Sequence, residues 1–250
     1  MSGLMILLYR DWLEFKKKYI TYILLWFSLP MILYLFMVIP LNLHIAKVDL
    51  MNYKNWASSG IWICSSGILS FIYSHVKLKN LLSHRGYLDK YLKAPISNGQ
   101  LLLALLIFSV IIGIVQLLIS ILITSALNND NFNFIQLFFI FINIISILLF
   151  CSISGLLSGI YVRDDFFSAS IFFIIFILLS FSFGLLIPIN ESYNKFAILM
   201  GNFPLYQVVL NVQSIYAGGN ATILPVVVMN IINVFIFIIV LITSYRKFRK

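Results

Sequence analysis

The chain has 250 residues, 62% of them hydrophobic and 10% charged, with a mean hydropathy of +1.03. Soluble domains carry about 25% charged residues, so too little polar surface exists here to face water all round, and the class is integral membrane protein. The formal charge of +9 does not imply nucleic acid, because the basic residues stand in short clusters beside apolar runs and form no basic domain.

The amino terminus, MSGLMILLYRDW, has neither a charged n-region nor a small-residue cleavage site, and no removable signal peptide is expected. Over residues 1–19 the spacing predicts an amphipathic helix. Met5, Leu8, Trp12, Phe15 and Tyr19 recur at intervals of three and four, while Asp11, Glu14 and Lys18 fall on the opposite face. Such a helix lies in the membrane interface, with Arg10, Trp12 and Phe15 at headgroup level. The alternative is a plain extension of the first span.

A helix needs about 20 apolar residues to cross a bilayer core. Six stretches qualify, near 20–40, 57–76, 101–127, 136–162, 167–188 and 223–244, and none contains Asp, Glu, Lys or Arg. The expected fold is therefore an all-α membrane domain of six transmembrane helices over 20–244, with a basic tail at 245–250. Of the 17 basic residues, only Lys47, Lys54 and Lys195 fall on the side opposite the termini. The positive-inside rule then makes both termini cytoplasmic, in a multi-pass protein of the cell inner or plasma membrane.

Two intervals between spans stand out. Residues 85–92, RGYLDKYL, place Tyr87, Leu88, Tyr91 and Leu92 on one face of a short helix, and Pro95 breaks it before the third span. A short helix whose apolar face its own domain leaves unused fits a groove on a partner. On the outer side, Phe203-Pro204 opens an apolar stretch that Gly218-Gly219 closes, too short to span; it reads as a re-entrant or interfacial helix, or as a covering loop.

Chemistry is sparse. No nucleotide-binding, metalloprotease or nucleophile-elbow motif is present, and His44, His75 and His84 have no ligand spacing, so neither catalytic nor metal residues are expected. His75 and His84 read as solvated interface residues. Asp164-Asp165 reads as the cap of the fifth span. Cys64 and Cys151 read as small buried hydrophobes. Within the spans the polar groups are neutral, among them Gln116, Asn143, Asn230 and Asn233, which argues against an ion or proton pump acting alone.

Arg85, Gly86, Asp89 and the turn Ala94-Pro95-Ile96-Ser97 resemble a segment ahead of the third span in the ABC-2-type family, the export permeases of ATP-binding cassette transporters. Gly155-Leu156-Leu157-Ser158-Gly159 with Arg163, Ser182-Phe183-Gly184 with Pro188, and Pro204-Leu205-Tyr206 are similar to further family segments. Asp89 stands where Glu is usual, Phe183 interrupts the Ser-Gly pair, and Gln213 stands where Arg often occurs. The resemblance covers nearly the whole chain as one domain, 1–250. It implies a permease subunit without its own ATPase site, paired with a second permease chain, most simply a copy of itself. It also implies docking of a separate nucleotide-binding ATPase that holds ATP and Mg, with no cofactor bound by this chain. Residues 85–93 would be the coupling helix, and Phe203, Pro204, Leu205 and Tyr206 would lie at the outer gate. The cargo would be hydrophobic, lipid-like or a lipid-linked glycan. The rival readings are a membrane scaffold without transport and a lipid-modifying membrane enzyme.

Overall fold

The structure is a computed structural model, and it describes residues 3–45, 47–48, 51–83, 97–128, 133–162, 164–182, 184–188 and 201–248. The interval 84–96, which contains the expected coupling residues Arg85, Gly86, Tyr87, Leu88, Asp89, Tyr91, Leu92 and Pro95, lies outside them.

The chain is helical, as its composition requires. Helix α1 (Gly3–Lys17) is followed by α2 (Tyr19–Leu33), which passes through a π-helical turn, Tyr34–Val38, into α3 (Ile39–His44). Pro40 accounts for the widened turn, because its ring displaces the carbonyl four residues earlier and it donates no N–H. Two strands of two residues, β1 (Lys47–Val48) and β2 (Met51–Asn52), pair antiparallel and are a small departure from an all-helical chain. Then come α4 (Tyr53–Ser83), α5 (Asn98–Asn128), α6 (Phe134–Tyr161), α7 (Asp165–Ile177) with a π-helical end at Leu178–Ser182, α8 (Pro204–Tyr216) and α9 (Leu224–Phe248). Among the described residues five helical segments are long and apolar enough to cross a membrane: Tyr19–His44, Tyr53–Ser83, Asn98–Asn128, Phe134–Tyr161 and Leu224–Lys247.

The fifth expected stretch, 167–188, differs. Its helix stops before the apolar run does, Gly184 takes a left-handed φ of 65°, and Leu185 and Leu186 are wholly buried in a bent segment. Hydropathy measures whether lipid would tolerate a run, and it is indifferent to the serines and glycine of 180–184 that end the helix. Even so the segment runs the length of the bundle. Asp165 meets Lys79 near the end of α4, while the Leu186 carbonyl accepts from the Tyr53 hydroxyl at its start, about 39 Å apart at 1.5 Å per residue.

Helix α4 is the axis of the fold. Some 83% of its most apolar window is buried, against 22% for α9. Helix α6 lies close against it because Gly155 and Gly159 leave room. A Cβ on Gly155 would stand 2.0 Å from the Ser74 hydroxyl and 2.5 Å from the Phe71 carbonyl, and one on Gly159 would stand 2.8 Å from the His75 carbonyl. Gly155-x-x-x-Gly159 is thus a close-packing face of the kind small residues provide between membrane helices.

Helix α1 departs from expectation at one residue. Asp11, read on the polar face, is wholly buried beside Leu7, whereas Met5, Trp12 and Tyr19 of the apolar face are open, as an interface helix leaves them. The burial is tolerated because Arg10 pairs with Asp11 at 2.6 Å and Lys77 of α4 stands 3.8 Å from the same oxygen.

Candidate functional site

Six serines of α4, Ser58, Ser59, Ser65, Ser66, Ser70 and Ser74, are wholly buried. Several return their proton to a carbonyl three or four residues earlier, which keeps a hydroxyl satisfied inside an apolar bundle. Others cross to neighbouring helices. Ser65 meets Ser120 of α5 at 2.8 Å, Ser70 meets Ser152 of α6 at 2.5 Å and donates to the Ser109 carbonyl at 3.1 Å, and the Trp62 indole donates to Thr124 at 2.7 Å. Cys64, buried and free, contacts the Ser180 hydroxyl at 3.3 Å, and Cys151 is likewise buried and free. This polar seam fixes α4 against α5, α6 and α7.

At one end the seam becomes charged. His75 is wholly buried, contrary to the solvated placement expected for it; its Nδ1 lies 2.7 Å from the Ser158 hydroxyl of α6 and its Nε2 3.1 Å from the Ser168 hydroxyl of α7. Lys79 donates to the same Ser168 at 2.9 Å and to Asp165 at 2.5 Å. Asp164 caps α7, accepting from the Phe166 N–H at 3.2 Å. On the other flank Lys77 pairs with Glu14 and Asp11 of α1. At the same end Lys247 of α9 donates to the Ile160 carbonyl of α6 and lies over the Tyr161 ring at 4.9 Å. The last turns of α4, which lead into residues 84–96, are thus ion-paired to α1 on one side and α7 on the other. Beyond that interval α5 begins at a reciprocal cap: the Ser97 N–H donates to the Gln100 side chain at 3.1 Å, and the Gln100 N–H donates to the Ser97 hydroxyl at 3.3 Å.

Of the residues expected at headgroup level, Arg10 is held by Asp11, Trp12 is exposed and stacks on Phe15 at 5.5 Å, and Phe15 packs on Trp26 of α2 at 5.6 Å. The outer set stands together at the start of α8. Phe203 is its exposed N-cap, Pro204 its first residue, and Leu205 and Tyr206 are buried against the bundle. Most of α8 packs inward. Gln213 donates to the Gly184 carbonyl at 3.0 Å, and Asn211 donates to Asn143 at 2.8 Å and to the Thr222 carbonyl at 2.7 Å. Leu185 is drawn so close to α4 that its carbonyl would stand 1.8 Å from a Cβ on Gly60.

Among the described residues no three of His, Cys, Asp and Glu converge as a metal site needs. The sequence alone marks His75 as a solvated interface residue and gives Lys77, Lys79 and Ser168 no role. For His75 and Lys79 the available signal is the register of α4: Phe71, His75 and Lys79 repeat every fourth position, the interval of one helical face.

The fold and its seam are those of a predominantly α-helical, multi-pass membrane protein. No protein-family model, curated protein or solved structure matches the chain.

Proposed function

We propose that this chain is the membrane-spanning permease subunit of an exporter of the ABC-2 type. It has six crossings and cytoplasmic termini, works as a dimer, and is driven by a separate ATPase seated on residues 85–93. The cargo is hydrophobic, lipid-like or a lipid-linked glycan. The observation that carries this reading is the bracing on both sides of the 84–96 interval. Lys77 ties the end of α4 to α1, Lys79 ties it to α7, and Ser97 with Gln100 caps the start of α5. A push delivered to a segment mounted this way reaches four helices as a rigid displacement. The six crossings are supported by the Asp165–Leu186 segment, whose ends meet opposite ends of α4.

The test is co-purification with a P-loop ATPase encoded beside this chain. Leu88→Arg and Tyr91→Arg are expected to strip the ATPase while the protein stays inserted and folded. Retained association and undiminished ATPase stimulation in both variants would overturn the assignment.

A further inference from the structure

Between α1–α2 and α4–α5 lies a cleft of about 520 Å³, within the 300–1,000 Å³ that small-molecule sites occupy. Its polarity is graded along both walls in the same sense. On α2 it runs from Lys18 through Tyr22 to Leu25, and on α4 from Lys77 through Tyr73 to Leu69, with Ile112 of α5 beside them. At 1.5 Å per residue the gradient extends about 10–12 Å. The charged end is lined by Arg10, Lys18 and Lys77; Glu14 and the buried Asp11 behind it pair with Arg10 and Lys77, which leaves Lys18 as the cation in excess. Lys18 has no acidic partner among the described residues, and Leu25 and Val76 on the rim are exposed.

A second observation points to an occupant. Tyr73 lines the cleft midway and is 6% exposed, yet its hydroxyl is buried without a hydrogen-bond partner. A buried hydroxyl left without an acceptor destabilises the fold unless one reaches it. An acceptor beyond the charged end, carried on an apolar body, meets every wall of this cleft.

We propose that the cleft binds an anionic phospholipid from the leaflet at the α1 end. Its phosphate lies among Lys18, Lys77 and Arg10, an ester or phosphate oxygen accepts from the Tyr73 hydroxyl, and an acyl chain runs over Leu25, Leu69 and Ile72 toward the bilayer. The lipid pins α1 and α2 onto α4. The site stands on the fold alone and is independent of what the protein exports.

The test uses the full chain purified in detergent and titrated with dioleoylphosphatidylglycerol, dioleoylphosphatidylcholine or inorganic phosphate, reading the rise in unfolding temperature as apparent affinity. Phosphatidylglycerol is expected to stabilise saturably and the other two weakly. Lys18→Gln is expected to weaken phosphatidylglycerol about fivefold, the worth of one basic residue at an anionic surface. Tyr73→Phe leaves the lipid-free protein at least as stable but shrinks the lipid-dependent rise, and Ile72→Trp, which fills the apolar half, abolishes it. Equal stabilisation by phosphatidylcholine would mean an unselective apolar groove. Equal stabilisation by phosphate would mean a bare anion site. Unaltered affinity in Lys18→Gln and Tyr73→Phe would place the lipid elsewhere; any of these three results overturns the proposal.

Discussion

Asp11 carries two opposing influences. Burial raises its carboxyl above the usual carboxylate value of 3.8, and Arg10 and Lys77 act to lower it; burial is the larger. The geometry agrees, because the pairs reach one oxygen while Oδ2 is buried without a partner. A raised acid holds its proton more tightly in the folded chain than in the unfolded one. Its contribution is therefore fully present below pH 3.8 and is lost as pH rises through the folded-state value. The stability of the detergent-purified protein, followed by thermal unfolding from about pH 4 upward, is expected to fall with pH in that window. Asp11→Asn, which cannot titrate, should flatten that component. A wild-type stability that rises with pH relative to the variant would mean that the ion pairs outweigh burial. This balance was illegible in the sequence, where Asp11 sits at the proper interval for a solvated face. What overrides it is the packing of α1 against α5, which no interval within α1 records.

The helices themselves test how closely α4 is gripped. Where Gly155 faces the Phe71 carbonyl and the Ser74 hydroxyl, a methyl group cannot be accommodated without moving backbone, and overpacking of this kind costs about 1–3 kcal/mol or more. Gly155→Ala should lower the unfolding temperature clearly, whereas Gly201→Ala, with open space around it, should leave it unchanged. Equal unfolding temperatures for the two variants would show that α4 and α6 are not in close contact. Span lengths were legible because an apolar run long enough to cross lipid has little alternative to a helix. The start of α8 was also legible, since Phe203-Pro204 can begin a helix but Pro204 cannot continue one. Two features were hidden for physical reasons. The role of the α4 serines was hidden, because hydropathy sums their cost without showing which helix each hydroxyl meets. The end of α7 read as span, because burial of Leu185 and Leu186 satisfies the same apolar pattern as a continued helix.

At the scale of the molecule, the topology turns on which ends meet. Leu7 of α1, Leu78 of α4, Leu101 and Leu102 of α5, Ile160 of α6 and Val240 of α9 share one hydrophobic cluster, so both terminal helices reach the same end of the bundle. The proposed topology accordingly separates them by an even number of crossings. Five helices long enough to cross leave the parity odd unless the segment from Asp165 to Leu186 crosses as well. In the proposed topology that segment supplies the sixth crossing, though its helix stops short of the far end. Thiol labelling of intact cells separates the possibilities, because Cys64 and Cys151 are buried and contribute little background. Lys47→Cys and Gly201→Cys are expected to react with an impermeant reagent added outside, and Lys90→Cys only after the membrane is opened. In the proposed topology positions 47 and 201 are exterior, because the segments opposite the termini carry few basic residues. If 47 and 90 label from the same side, α4 does not cross. Should 201 label with 90 instead, the stretch between Asp165 and Leu186 would return to the side it started from, and the six-crossing topology would fail with it.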